Sequence, residues 1–380
     1  MSERVLVTGG AGFIGSFVVD RLVERGHDVT VLDNLDPQVH GGCAATPRHI
    51  EGHVRAGRVR FHLGDVTCPM EVERALDGVT RVVHLAATVG VGQSMYQPAY
   101  YTLSNCHGTG ILLEALVPLK KQVRRLVVAS SMSLYGEGAY RCPKCGGAEP
   151  GARDDQRLAA HRWEVPCARC GEDLTPAPTG EAKPADLTSV YAATKKHQED
   201  LCLAFGKAYG LPTLALRFFN VFGPRQSLSN PYTGVAAIFL GRLLAGQPPL
   251  VFEDGLQSRD FIDVRDVARA VVMSAESELP GAQALNIGTG RPITVLGVAE
   301  ALARALGRPI AAERLGKFRA GDIRHCVADP ARAREVLGFS AEHAFDDALG
   351  PLIEWCKGER PTDRVAEGLR ELEAAGLVRG

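Results

Sequence analysis

No apolar run in the chain reaches the length needed to cross a bilayer, and the longest ones match buried strands. A surplus of charge is missing too. With 43 basic against 44 acidic residues, nothing in the electrostatics would draw nucleic acid or an anionic membrane. The first strand begins at Arg4, which leaves no room for a charged segment, an apolar segment and a cleavage site, so a cytoplasmic setting is expected. In that setting the ten cysteines are thiols or metal ligands rather than disulfides. What remains is ordinary for a soluble globular enzyme: 45% hydrophobic and 23% charged residues over 380 positions, enough for about two domains and a large core.

The opening stretch is informative. Val5-Leu6-Val7 precedes Thr8-Gly9-Gly10-Ala11-Gly12-Phe13-Ile14-Gly15, and apolar residues then recur at helical spacing (Phe13, Phe17, Val18, Leu22). Glycines at a strand-to-helix turn suit a dinucleotide. Gly9 permits the tight turn, Gly12 lets amides approach a pyrophosphate, and Gly15 lets helix and strand pack closely. Asp33 closes the next strand 18 residues after Gly15, where a carboxylate bonds a ribose 2′-hydroxyl and repels a 2′-phosphate; NAD is favoured over NADP. Asn34, the Asp65-Val66 pair and Leu85-Ala86-Ala87 fall at further strand ends and complete the expected cofactor set. His40, His49, His53 and His62 read as surface or packing residues. Strands at Val59–Leu63, Val82–Ala86 and Arg125–Ala129 alternate with helices at Glu71–Asp77 and Gly108–Leu119. The pattern predicts an α/β fold with a Rossmann-type doubly wound parallel sheet, ligands lying beyond the carboxyl ends of the strands.

Tyr191 and Lys195 stand four apart, on one face of a helix. An ammonium one turn from a phenol favours the phenolate, so Tyr191 is the candidate general base. Between Tyr135 and Tyr191 lie 55 residues holding Cys142-Pro143-Lys144-Cys145 and Cys167-Ala168-Arg169-Cys170, each pair followed by glycine. Four thiolates so spaced suit one tetrahedral structural zinc; two disulfides are the rival reading. The surrounding segment has little apolar material beyond Leu158 and Trp163, so a metal would stand in for a core. Cys43, Cys68, Cys106, Cys202, Cys326 and Cys356 are isolated and read as packing residues.

The glycine motif, Ser130-Ser131-Met132-Ser133-Leu134-Tyr135-Gly136 and Tyr191-Ala192-Ala193-Thr194-Lys195 resemble the extended short-chain dehydrogenase/reductase family, in its nucleotide-sugar epimerase and dehydratase branch. Arg217–Arg225, Arg259-Asp260-Phe261-Ile262, Leu285–Gly290 and Arg319-Ala320-Gly321-Asp322 agree with it. The resemblance runs to about residue 340 and implies residue roles. Ser131, Tyr191 and Lys195 would be catalytic, with Tyr191 and Lys195 also at the cofactor. Asn105 would lie beneath the nicotinamide. Asn220, Arg259 and Arg319 would hold the diphosphate of a sugar nucleotide, and a homodimer would be usual. Gln93, Ser94 and Ser133 could meet sugar hydroxyls, and Cys326 could set the room for the sugar or be structural.

Met132 and Ser133 stand where the dehydratases carry an acid and a base, so elimination of water is not expected. A 4-epimerase with resident NAD is the leading expectation. Within the branch, Leu32–His40, the cysteine insertion and Gly223–Ser227 are most similar to enzymes that interconvert dTDP-L-rhamnose and dTDP-6-deoxy-L-talose. UDP-hexose or UDP-hexuronate 4-epimerisation, or a net NAD(H)-consuming oxidoreductase, is the alternative. The expected layout is a dinucleotide domain over 1–183, including the insertion at 137–183, and a smaller α/β substrate lobe over 184–380. That lobe is interleaved with the last sheet strands, near 213–222 and 262–288. The tail from Gly358 reads as a packing helix.

Overall fold

Val5, Leu6 and Val7 are buried on both sides of their strand, which explains why the run lacks polar alternation: helices cover both faces of a parallel sheet. The computed structural model describes residues 2–42, 46–148, 150–151 and 153–380; Cys43 lies outside them. β1 (Arg4–Thr8), β2 (Asp28–Asp33), β3 (Val59–Leu63), β4 (Arg81–His84) and β5 (Arg125–Ser131) form one sheet with the strands Thr213–Phe218 and Ala282–Ile287. All its ladders are parallel, in the order Ala282–Ile287, Thr213–Phe218, β5, β4, β1, β2, β3. The winding reverses between β1 and β4, so a crevice opens at their carboxyl ends. The doubly wound sheet expected from the alternation is present. Val5 and Val7 face one core, with Val18, Leu22, Val267 and Val271; Leu6 faces the other, with Leu112, Leu116 and Cys202.

The helix Val190–Tyr209 packs on that second face. Ser189 caps it, its Oγ accepting from the Ala192 amide at 3.1 Å, and Gly210 ends it in the left-handed region at φ 67°. Tyr191, Lys195, Gln198, Glu199 and Cys202 follow at helical spacing and are all buried. Glu199 anchors the helix. Its carboxylate accepts from Arg217 Nη2 at 2.6 Å and Nε at 2.9 Å, and from the Ser130 hydroxyl at 2.7 Å, linking helix, β5 and the neighbouring strand.

A second sheet lies beside the first. Asn220–Phe222, Ser258–Asp263, His325–Ala328 and Thr175–Thr179 run parallel in that order, and Ala139–Cys142 and Gly146–Ala148 continue it antiparallel. Helices Val235–Leu244, Val295–Ala305 and Phe345–Cys356 close a core over it, around Phe222, Phe261 and Phe345. The first of these begins at Val235, after Gly234 in an extended conformation. The cysteine insertion is therefore built into the second sheet. It also has a small core the composition did not suggest: Tyr140, Cys142, Val165, Cys167 and Leu174 are all buried.

Glu199→Ala should leave the Arg217 guanidinium buried without a counter-charge, a loss of about 3–5 kcal/mol. A urea midpoint corresponding to less than about 1 kcal/mol of destabilisation would show the pair to be dispensable.

Candidate active site

A cavity of about 700 Å³ follows the carboxyl ends of the main sheet and continues against the second lobe. Gly9, Gly12, Phe13, Ile14, Gly15, Asp33, Asn34, Asp65, Val66, Leu85, Ala86 and Ala87, the residues expected at the cofactor, line one end. The glycines are required by space. A Cβ on Gly15 would sit 2.1 Å from the Gly9 carbonyl oxygen; one on Gly9, itself at φ +71°, would sit 2.8 Å from the Ala86 nitrogen. The helix Phe13–Glu24 has no side-chain cap and no acid in its first turn, so its leading amides are free for an anion. Asp33 is held by the Ala11 and Leu35 amides, each at 2.9 Å. This shape and donor set fit a dinucleotide. His40, read as a surface or packing residue, lines the cavity with its Nε2 3.7 Å from Asp33.

Ser131, Met132, Ser133, Tyr191 and Lys195 form the middle of the wall. The Ser131 Oγ accepts from the Ser133 amide at 3.1 Å and the Ser133 hydroxyl at 2.9 Å, which leaves its own O–H to donate. Lys195 departs from expectation. Its Nζ donates to Gln198 Oε1 at 2.7 Å. Gln198 in turn joins Thr109, His84 and Thr8 in a buried hydrogen-bonded chain. Burial pushes the ammonium down to about 8 and the Tyr191 phenol up to about 12, with only the Ser131 hydroxyl pulling the phenol back. The lysine does not lower the phenol, because both groups are desolvated and the ammonium is engaged elsewhere.

At the far end Asn220, Arg259 and Arg319 line the cavity. Asn220 Oδ1 is buried without a partner among the described residues, an acceptor left open. Arg259 and Arg319 converge on one carboxylate the sequence reading gave no role, Asp322, at 3.2 Å and 2.6 Å. Burial alone would raise that carboxyl, but Arg319, Arg259 and Arg153 outweigh it and hold it well below its usual range.

Four of the expected site residues do not line the cavity. Gln93 does not face the cavity, because its amide is paired with Gln38 in both directions and accepts from Tyr101. Ser94 is turned inward, donating to the Val91 carbonyl and accepting from the Tyr191 amide at 2.9 Å. Cys326 is buried with Met132, Leu134, Tyr135 and Phe219 and sets no cavity wall. Asn105 lies behind the wall; it bonds the Thr88 main chain both ways and donates to Thr194, shaping the loop after Ala87.

The tail is more than packing. Val365, Gly368, Leu369 and Leu372 of the helix Val365–Ala374 line the cavity, and Glu371 accepts from the Tyr96 and Tyr232 hydroxyls. The strand Val378–Arg379 then pairs antiparallel with Phe318–Arg319. The apolar stripe was visible in the sequence, but nothing there said which surface it covers.

Fold and site together define an NAD-dependent enzyme of the short-chain dehydrogenase/reductase type. The chain belongs to the NAD dependent epimerase/dehydratase family, whose model matches residues 5–153 and 169–288. It is 34% identical over 360 residues to a dTDP-L-rhamnose 4-epimerase of Burkholderia thailandensis, covering 94% of this chain and 96% of that one. A UDP-glucose 4-epimerase of Mycolicibacterium smegmatis is 31% identical, over 94% of this chain and 99% of its own. Among solved structures, a Thermus thermophilus UDP-glucose 4-epimerase in complex with NAD matches at a TM-score of 0.72 and 31% identity, over 94% and 100% of the two chains.

The buried Lys195 makes a prediction. Its folded value of about 8 lies below its ordinary 10.5, so the unfolded chain binds the extra proton between these two pH values. Stability therefore rises with pH across that window, and the cost of the buried charge is fully present below pH 8. Lys195→Met should be more stable than the parent at pH 7, by on the order of 3 kcal/mol at 1.4 kcal/mol per pH unit. Chemical denaturation at several pH values checks this, and an advantage that does not shrink above pH 8 would refute it.

Proposed function

We propose that this epimerase inverts C4 of a nucleoside-diphosphate sugar, with dTDP-L-rhamnose to dTDP-6-deoxy-L-talose as its reaction. Tyr191 takes the proton of the C4 hydroxyl and later returns it. Ser131, fixed by its two bonds from Ser133, donates its free O–H to the same oxygen and holds it in place. Lys195 is the buried cation nearest in sequence to the phenol, and the desolvated surroundings strengthen any charge brought to Tyr191. Bound NAD supplies the acceptor for the C4 hydride and the donor that gives it back. Asn220, Arg259 and Arg319 take the diphosphate, guanidinium being the group best matched to phosphate oxygens.

The inventory of charges along the cavity carries this reading. Among the described residues its acids are Asp33, Asp36, Asp65 and Asp322. The first three lie toward the dinucleotide end, and Asp322 is held by two arginines. No carboxyl group stands at Met132 or Ser133 to protonate a leaving hydroxyl, which favours epimerisation over elimination. The cationic side chains are Lys195, Arg259 and Arg319, with His40 beside Asp33. None is left over for a sugar carboxylate, which favours a neutral sugar over a uronate. The choice of dTDP-L-rhamnose is supported by the 34% identical relative that carries that name.

Cys142, Cys145, Cys167 and Cys170 hold one structural zinc in this reading. Their four Sγ atoms lie within 4.8 Å of one another. Cys142 and Cys170 are 3.5 Å apart, near the roughly 3.8 Å that a tetrahedron of 2.3 Å bonds requires. Gly146 and Gly171 take φ of +85° and +76°, the left-handed turn after each pair. The Arg169 and Cys170 amides pull the Cys167 thiol down to about 7, while hydrogen bonds with Cys170 and the other thiols push Cys145 up, as expected of four thiols crowded together.

Purified protein should convert dTDP-L-rhamnose without added NAD, read by NMR of the products; a requirement for stoichiometric added cofactor would point to a net oxidoreductase. Tyr191→Phe should lose about 10³-fold or more in kcat while retaining dinucleotide, and near-normal turnover would remove Tyr191 as the base. Elemental analysis should return close to one zinc per chain, and less than about half an equivalent in intact protein would count against the metal.

A further inference from the structure

We infer that the cysteine insertion carries a positioning residue for the charged end of the substrate: Arg153, which braces the turn on which Arg259 and Arg319 rest. The inference builds on the reading that these two guanidinium groups take the diphosphate.

Arg153 lies between the two cysteine pairs, and its side chain is only 5% exposed. It is not among the residues lining the large cavity. Its Nη2 and Nε donate to the Asp322 carbonyl at 2.9 and 3.3 Å. The same Nη2 reaches Glu253 at 2.7 Å, and Nε lies 3.3 Å from Glu137. One planar group thus fixes a main-chain carbonyl and neutralises two buried acids, a task that suits the rigid fork of arginine and that a lysine cannot reproduce.

That carbonyl belongs to the residue whose carboxylate organises the site. Asp322 Oδ1 accepts from Arg259 and Oδ2 from Arg319. Arg259 also donates to the Ile323 and Arg324 carbonyls, at 2.6 and 2.9 Å. The segment 322–324 is therefore the template for both cavity arginines, and what supports it from behind comes largely from the insertion and its approach. Glu137 accepts from the Arg324 and His325 amides at 2.6 and 3.2 Å. Glu164 takes Arg324 Nη2 and Nε at 2.6 and 2.9 Å. Arg324 itself is fully buried and further paired with Glu253 and Asp254. Two like charges lining one cavity repel until a diphosphate arrives, and Asp322 with its bracing keeps them converged in the meantime.

A purely structural ion cluster would lower stability and leave the affinity of the folded protein for a diphosphate unchanged. A positioning role changes that affinity. The probes are dTDP and UDP, titrated calorimetrically into the parent, Arg153→Met and Arg153→Lys, with zinc and bound dinucleotide measured on the same samples. Arg153→Met should bind about tenfold more weakly or worse, with zinc and dinucleotide contents unchanged, and Arg153→Lys should fall between. With sugar substrate, KM should rise in proportion while kcat stays within about threefold. An affinity of folded Arg153→Met within about twofold of the parent would overturn the inference. Should that variant lose its dinucleotide, Arg153→Lys decides: weakening of about threefold or more supports the role, and parental affinity overturns it. A parent that binds neither nucleoside diphosphate would remove the diphosphate reading of Arg259 and Arg319, and this inference with it.

Discussion

Glu199 and Arg217 meet where three elements converge, and the relative placement of Ser131, Tyr191 and Lys195 depends on their meeting. The carboxylate belongs to the helix of Tyr191 and Lys195; the guanidinium belongs to the strand beside β5, which ends at Ser131. The pair extends further. Arg217 Nη1 donates to the Tyr135 hydroxyl at 2.8 Å, that hydroxyl to Asn286 at 2.7 Å, and Asn286 to the Thr179 carbonyl of the second sheet at 2.9 Å. A buried ion pair is a poor source of stability, since desolvation offsets most of its attraction. Its use here is registry: helix, main sheet and second sheet are held together by directional bonds that apolar packing alone would not specify.

Desolvation then sets the chemistry in opposite directions. The same burial that makes the ammonium of Lys195 reluctant to keep its proton makes the phenol of Tyr191 reluctant to lose one. The protein without ligands thus holds a neutral phenol. In the proposed reaction a further positive charge brought into this water-poor pocket would favour the phenolate at low dielectric. At the opposite end of the cavity the logic inverts. Charges there are abundant but mutually compensated, with Asp322 shared between two arginines and Arg324 enclosed by acids.

What the sequence made legible was whatever local chemistry enforces. Gly9 and Gly15 have no room for a side chain, Asp33 ends a strand, and Tyr191 and Lys195 are one helical turn apart, so each could be read from its neighbours. The sheet followed from alternating apolar runs. Residues whose role depends on distant partners were not readable in this way. Gln93 and Ser94 follow a strand end on the cofactor side, yet they lie on the short helix Val91–Ser94, where Gln38 and the Tyr191 amide claim their polar atoms. Arg153 and Glu164 stand in a segment poor in core and carried no signal of their own, because their partners at 253 and 322–325 lie far along the chain. The stripe Val365, Leu369, Leu372 announced a covered face without naming what it covers.

The tail gives the cavity an order of assembly. The glycine turn, Asp33 and Ser131 all lie within the first 131 residues, whereas the opposite wall includes Leu372 and Leu377. During synthesis the amino-terminal units emerge and fold first. A nascent chain can accordingly shape its dinucleotide half on the ribosome long before the far wall exists. The pocket for the second ligand is finished only by residues that follow the strands of both sheets, and a chain cut before Val365 would present a floor without that wall.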